Sequence, residues 1–120
     1  MTHHYQGSCH CGAVRFSFST EQPIDRAMRC NCSICARKGA PMSTMVFDRD
    51  ALDIRVEGDA LALYQFGART AKHHFCRHCG IYPFHETART PGKYRVNLGC
   101  VDAIDSVNLP FEVFDGLHLL

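Results

Sequence analysis

At 120 residues the chain is about one domain long and leaves no room for a separate cofactor-binding half. Hydrophobic residues make up 46% and aromatic residues 10%, enough for a packed core whose margin of stability is thin at this size. A formal net charge of +1, with no basic run longer than Arg37-Lys38, argues against nucleic acid and against a membrane surface as partners.

The N-terminal stretch MTHHYQGSCHCG lacks the apolar segment of a signal peptide, and no run of about 18 apolar residues occurs, so the chain reads as cytoplasmic, with neither leader nor membrane span. His3 and His4 read as a flexible, incidental tail. Cys9-His10-Cys11 follows, a C-x-C pair closed by Gly12. Residues 13–19 alternate, with Val14, Phe16 and Phe18 on one face, the period of a half-buried strand. Glu21-Gln22-Pro23 breaks that strand, and Ala27-Met28-Arg29 leads into Cys30-Asn31-Cys32-Ser33-Ile34-Cys35, three thiols in six residues. Residues 36–39 allow one helical turn at most. Residues 43–47, 52–56 and 61–66 read as strands joined in hairpins, with Gly58-Asp59 and Gly67 as turn signals. His73-His74-Phe75 runs into Cys76-Arg77-His78-Cys79, a C-x-x-C pair closed by Gly80, and residues 81–85 leave it as a strand. Residues 94–98 alternate again, residues 102–105 suit a helical turn, and residues 111–114 form an edge strand able to pair chains. The predicted class is all-β, a single domain over 1–120 made of antiparallel sheets joined at metal knuckles.

In a chain read as cytoplasmic, eight cysteines point to metal before disulfide, because thiols there are held reduced. Seven fall into three clusters, whereas Cys100 stands apart and reads as a small buried hydrophobe. One or two residues between sulfurs let a tight turn aim both at one ion, and Gly12 and Gly80 follow two of the turns, where positive φ is often required. A closed structural zinc takes four ligands, and Cys9, Cys11, Cys76 and Cys79 would clamp two distant segments to it. Cys30, Cys32 and Cys35 would then fill three corners of a second zinc and leave the fourth for a guest, the pattern of a catalytic site. Spacing also allows Cys9, Cys11, Cys30 and Cys32 on one ion; the first partition is preferred because the triple shares one loop. Three thiolates leave zinc with net negative charge, which blunts it as a Lewis acid and favours binding of an exogenous thiolate over activation of water.

The motifs GSCHCGAVRF, CNCSICARKGA and FCRHCG, in this order and at these separations, resemble the glutathione-dependent formaldehyde-activating enzyme family, which includes the centromere-protein-V-like domains. The resemblance runs from Gly7 to about Gly99 and takes in Gly39 and YRVNLG. It implies a tent-like all-β fold with two zinc ions, a structural one on Cys9, Cys11, Cys76 and Cys79 and a catalytic one on Cys30, Cys32 and Cys35. It also implies a carbon-sulfur lyase that joins formaldehyde to the partner thiol glutathione, giving S-hydroxymethylglutathione. Arg37 and Lys38 are candidates for the carboxylates of such a ligand, and His85 is a candidate fourth metal ligand. His78 should point outward from its turn, and Tyr82 and Asn97 read as structural strand residues. Two other readings stand beside the enzyme. One is a non-catalytic zinc-scaffolded binding module whose fourth corner is filled by His85 or a partner chain; the other is redox or iron-sulfur chemistry.

Overall fold

The computed structural model describes residues 2–68 and 71–119. Among them the elements run β1 (His3–Ser8), β2 (Val14–Thr20), β3 (Ala27–Cys30), α1 (Ser33–Lys38), β4 (Phe47–Asp48), β5 (Asp53–Val56), β6 (Leu61–Tyr64), β7 (Lys72–Cys76), β8 (Phe84–Glu86), β9 (Lys93–Val96), β10 (Phe111–Phe114) and α2 (Gly116–Leu119). They form a three-stranded antiparallel sheet in the order β1-β2-β5, a five-stranded antiparallel sheet in the order β4-β9-β8-β7-β6, and a parallel pair, β10 with β3. The all-β class and the antiparallel sheets are as expected, with β10–β3 the parallel exception.

The core lies between the two larger sheets. On β2 the period-two pattern buries Val14, Phe16 and Phe18 and leaves Arg15 and Ser19 outside. Phe16 meets Phe84 of β8 edge-on at 6.0 Å, and Phe18 packs on Phe47 of β4 at 5.0 Å, so the aromatic rows of the two sheets interlock. Each such ring contributes about 1.5–3 kcal/mol on burial. The register across the larger sheet fixes which residues share a face. Leu63, His74, Phe84 and Val96 lie opposite one another, and Phe84 and Val96 are core residues. One residue along each strand, Tyr64, His73, His85 and Arg95 form the neighbouring row, which the pleat turns to the other face.

Several local expectations change. His3 and His4 are no loose tail: both belong to β1, which pairs with β2 over six residue pairs, and His4 Nδ1 lies 2.6 Å from Ser19 Oγ. Only Phe47–Asp48 of the strand expected at 43–47 forms, because the Ser43 hydroxyl accepts from Val96 N–H and donates to the Met45 carbonyl. β5 and β6 are not a hairpin, since the bend closed by Ala60 N–H on the Glu57 carbonyl carries the chain from one sheet to the other. The strand after the C-x-x-C turn starts only at Phe84, as Pro83 has no N–H to donate. Residues 102–105 form no helix; a 3-10 turn at Leu98–Cys100 precedes them, with Asn97 Oδ1 accepting from Gly99 N–H at 2.9 Å. The helical turn expected at 36–39 is a helix beginning earlier, at Ser33. Among the described residues no helix is long and apolar enough to cross a membrane.

Candidate metal centres

The first two cysteine pairs occupy equivalent turns. In each, the N–H of the leading cysteine bonds to the carbonyl five residues on, Cys9 to Val14 at 2.9 Å and Cys76 to Ile81 at 2.8 Å. Gly12 and Gly80 stand at φ of +83° and +78°, a backbone region that a side chain would disfavour. β1 and β2 deliver one pair and β7 the other, and their four sulfurs lie within 4.8 Å of one another. Cys11 Sγ is 3.7 Å from Cys9 Sγ and 3.6 Å from Cys76 Sγ, far beyond the roughly 2.05 Å of a disulfide. Val14 N–H donates to Cys9 Sγ at 3.3 Å, as a thiolate invites. Cys9 and Cys76 are fully buried core residues, whereas Cys11 is exposed.

The triple is built differently. Cys30 ends β3, Cys32 sits at the N-cap of α1, and Cys35 lies in the helix with its carbonyl bonded to Gly39 N–H at 3.0 Å. Their sulfurs also lie within 4.8 Å of one another and are half-buried. The partition into four and three thus matches the preferred reading of the spacing, and the alternative mixing Cys9, Cys11, Cys30 and Cys32 is not what the fold assembles. His85 lies outside both groups.

Thiol acidities divide within each cluster. Burial raises Cys35 to about 12, partly opposed by the Lys38 charge. Burial pushes Cys32 up as well, but hydrogen bonds from the Cys35 backbone and thiol and from Cys30 outweigh it and hold Cys32 below the usual thiol range. Burial likewise works against Cys79, yet the Cys11 and Ile81 backbone and the neighbouring thiols bring it to about 6. One sulfur per cluster thus ionises readily while others resist, and a bound cation would supply the charge needed to deprotonate the rest.

Around the triple the side chains are tightly engaged. Lys38 turns inward from α1: its ammonium lies 3.6 Å above the Tyr82 ring and 2.9 Å from His73 Nδ1, and burial lowers its pKa to about 8 against the pull of the three cysteines. The Tyr82 hydroxyl and His85 Nδ1 share a hydrogen bond, and burial keeps His85 neutral. Arg37 instead folds back on the Ser33 carbonyl at 2.9 Å and is exposed, as is His78. Cys100 is buried as expected, and burial raises its thiol to about 12. Asn97 holds the Tyr82 carbonyl through Nδ2 at 2.7 Å, a structural part for both residues.

Beside the triple opens a cavity of about 380 Å³, walled on one side by Cys30, Cys32 and Cys35 and on another by the sheet row of His73, His85 and Arg95. His73 and Arg95 were not singled out by the sequence, although Arg95 lies in YRVNLG; the cross-strand register sets them in one row with His85. Arg95 is 8% exposed, and its Nη1 donates to the Ser43 and Thr44 carbonyls at 2.8 and 2.7 Å.

Residues 4–115 match the family model described as glutathione-dependent formaldehyde-activating enzyme. Over 80 residues the chain is 35% identical to a Halomonas elongata protein provisionally described as a glutathione-dependent formaldehyde-activating enzyme; the match covers 62% of this chain and spans about half the length of that relative (50%). A crystal structure of a Rhodobacter sphaeroides protein superimposes with a TM-score of 0.74 at 37% identity, covering 89% of this chain and 99% of that one.

Proposed function

This chain belongs to the glutathione-dependent formaldehyde-activating enzyme family, and on that premise we propose that it is a carbon-sulfur lyase forming or cleaving the adduct of glutathione, or a related thiol, with a small aldehyde such as formaldehyde. The observation that carries this reading is the unequal split of seven sulfurs, four closed in the sheet turns and three facing a cavity. Zinc fits the four-sulfur set, since with Zn–S bonds of about 2.3 Å a tetrahedral thiolate site spaces its sulfurs about 3.8 Å apart, close to the 3.6 and 3.7 Å found, and the triple's sulfurs, within 4.8 Å of one another, are compatible with the same ion. Cys9, Cys11, Cys76 and Cys79 would hold a structural ion, and Cys30, Cys32 and Cys35 a catalytic one. When bound at the triple, zinc supplies the positive charge that keeps a fourth, incoming thiol ionised at neutral pH. Lys38 is placed to offset the accumulated negative charge of the sulfurs, and Tyr82 fixes its position through the ring face. His85, neutral and tied to Tyr82 through Nδ1, stands on the cavity wall as a hydrogen-bonding partner rather than a ligand.

The test is a thiol titration of the cobalt-substituted protein. Glutathione should alter the thiolate-to-metal charge-transfer band, and Cys32→Ser should abolish that change; an unaltered band would remove the proposal. A non-catalytic scaffold needs a fourth ligand at the triple from His85 or from a partner chain; among the described residues of this chain the donor group there consists of three sulfurs, without His85.

A further inference from the structure

The cavity beside the triple has a composition that formaldehyde does not call for. Its walls are mainly Met28, Ile34, Met42, Phe66, Phe114 and Leu117, and among the described residues no Asp or Glu lines it. About 380 Å³ is the size of a small-molecule pocket, whereas formaldehyde brings one carbon and one oxygen and would leave it nearly empty. Beyond the cysteines and the cations Arg89 and Arg95 the lining is largely apolar and would not replace the water around glutathione's charged groups, so its polar body is placed outside, with only the sulfur reaching the cysteines.

Two donors on the cavity wall complete the pattern, one of them buried without a partner. Lys38 donates to His73 Nδ1, which leaves the proton of the ring on Nε2, and that buried nitrogen has no partner among the described residues. Arg95, also on the cavity wall, spends Nη1 on two carbonyls, while its Nε and Nη2 have no hydrogen-bond partner among the described residues. A buried donor without an acceptor is costly, so an oxygen is expected to meet His73 Nε2, with the uncommitted Arg95 nitrogens beside it on the same wall.

From these walls and donors we infer that the electrophile is an aldehyde carrying an uncharged hydrocarbon chain of several carbons, with the chain in the cavity and the aldehyde oxygen facing His73 and Arg95. This rests on the carbon-sulfur reading above. In the forward direction the thiolate electron pair forms the carbon-sulfur bond, the carbonyl π pair moves to oxygen, and oxygen takes the proton that the thiol gave up. In reverse the same bond breaks and its electrons return to sulfur. His73 and Arg95 hydrogen-bond the oxygen as its charge grows, which strengthens both contacts when they are needed.

The experiment compares formaldehyde, propanal and hexanal as partners of glutathione with the zinc-loaded full chain. Each methylene that enters the cavity should raise kcat/KM about fourfold, so hexanal should exceed formaldehyde by well over about tenfold. Ala88→Leu and Ala71→Leu, which shrink the cavity, should each lower the hexanal-to-formaldehyde ratio. Equal or better turnover of formaldehyde by the unaltered chain overturns the inference while leaving the carbon-sulfur reading intact. A preference for hexanethiol with formaldehyde over glutathione with hexanal also overturns it, since the chain would then come from the thiol. A binding arm needs no turnover: 1-hexanol should raise the melting temperature and methanol should not, and absence of that difference sinks the cavity assignment. Protection by hexanol with no aldehyde turned over refutes the carbon-sulfur reading, and the aldehyde with it.

Discussion

The two cysteine sets should respond very differently to the same serine substitution. Cys76 is fully buried and belongs to the hydrophobic core cluster, and its partners Cys9 and Cys11 come from the β1–β2 turn, so this site ties the two large sheets together. A structural zinc contributes about 10–16 kcal/mol of apparent binding energy, comparable to the whole stability of about 5–15 kcal/mol expected for such a domain. Cys76→Ser should therefore remove the cooperative unfolding transition at 25 °C. Cys30, Cys32 and Cys35 are half-buried and stand outside that cluster. Cys32→Ser should lose about 1–2 kcal/mol, a drop of about 4–8 °C in melting temperature for a chain of this length. The assay is a far-ultraviolet circular dichroism melt paired with metal analysis of the same sample, where the unaltered chain should carry two zinc ions and Cys32→Ser one. If Cys76→Ser melts like the unaltered chain, or both variants collapse alike, the division into structural and working sites is wrong.

Three further outcomes follow from local geometry. A Cβ added at Gly7 would stand 2.6 Å from the Cys100 carbonyl oxygen and 2.6 Å from Phe16 Cζ, so Gly7→Ala should cost about 1–3 kcal/mol in a denaturant titration. Phe84→Ala opens a hole between Phe16 and Tyr94 and should cost about 3–5 kcal/mol, read by the same titration. Burial, with the Lys38 charge, lowers His73 to about 4, whereas an unfolded histidine takes up its proton near 6.5. The unfolded chain thus binds more protons over that interval, so the stability from His73 is present above about pH 6.5 and lost as pH falls toward 4. Melting temperatures at pH 7 and pH 5 should differ less in His73→Phe than in the unaltered chain, and an equal difference would dismiss His73 as a source of the acid sensitivity.

What the sequence made legible was local. The turns around Cys9–Cys11 and Cys76–Cys79 are set by neighbours within five residues and by one glycine each, so spacing alone revealed them. The burial pattern of β2 was legible for the same reason, since alternation is a property of one strand. What stayed hidden depends on which strand lies beside which. The stretch from Ser43 to Val46 resembles a strand, yet the Ser43 hydroxyl takes the Val96 N–H that a neighbouring carbonyl would otherwise accept. Likewise, nothing local in Phe111 to Phe114 tells that it runs parallel to β3 and brings Phe114 to the cavity wall. Lys38 read as a candidate for a ligand carboxylate, and its aromatic and imidazole partners stayed hidden because they are more than thirty residues away in sequence.

The same register that hid His73 and Arg95 explains why core and cavity can share one thin sheet. In HHF, PFH and YRV each strand sets a residue for the cavity beside one for the opposite face: His73 by His74, His85 by Phe84, Arg95 by Val96. Sliding β8 or β9 by a single residue would turn Phe84 or Val96 to the cavity and drive His85 or Arg95 toward the core. The cost of burying an unpaired cation or polar ring there is several kcal/mol, far more than the cost of keeping the register. Packing of Phe84 and Val96 therefore selects the alignment that sets the donor row against the cysteine triple, and the site is as well defined as the core behind it.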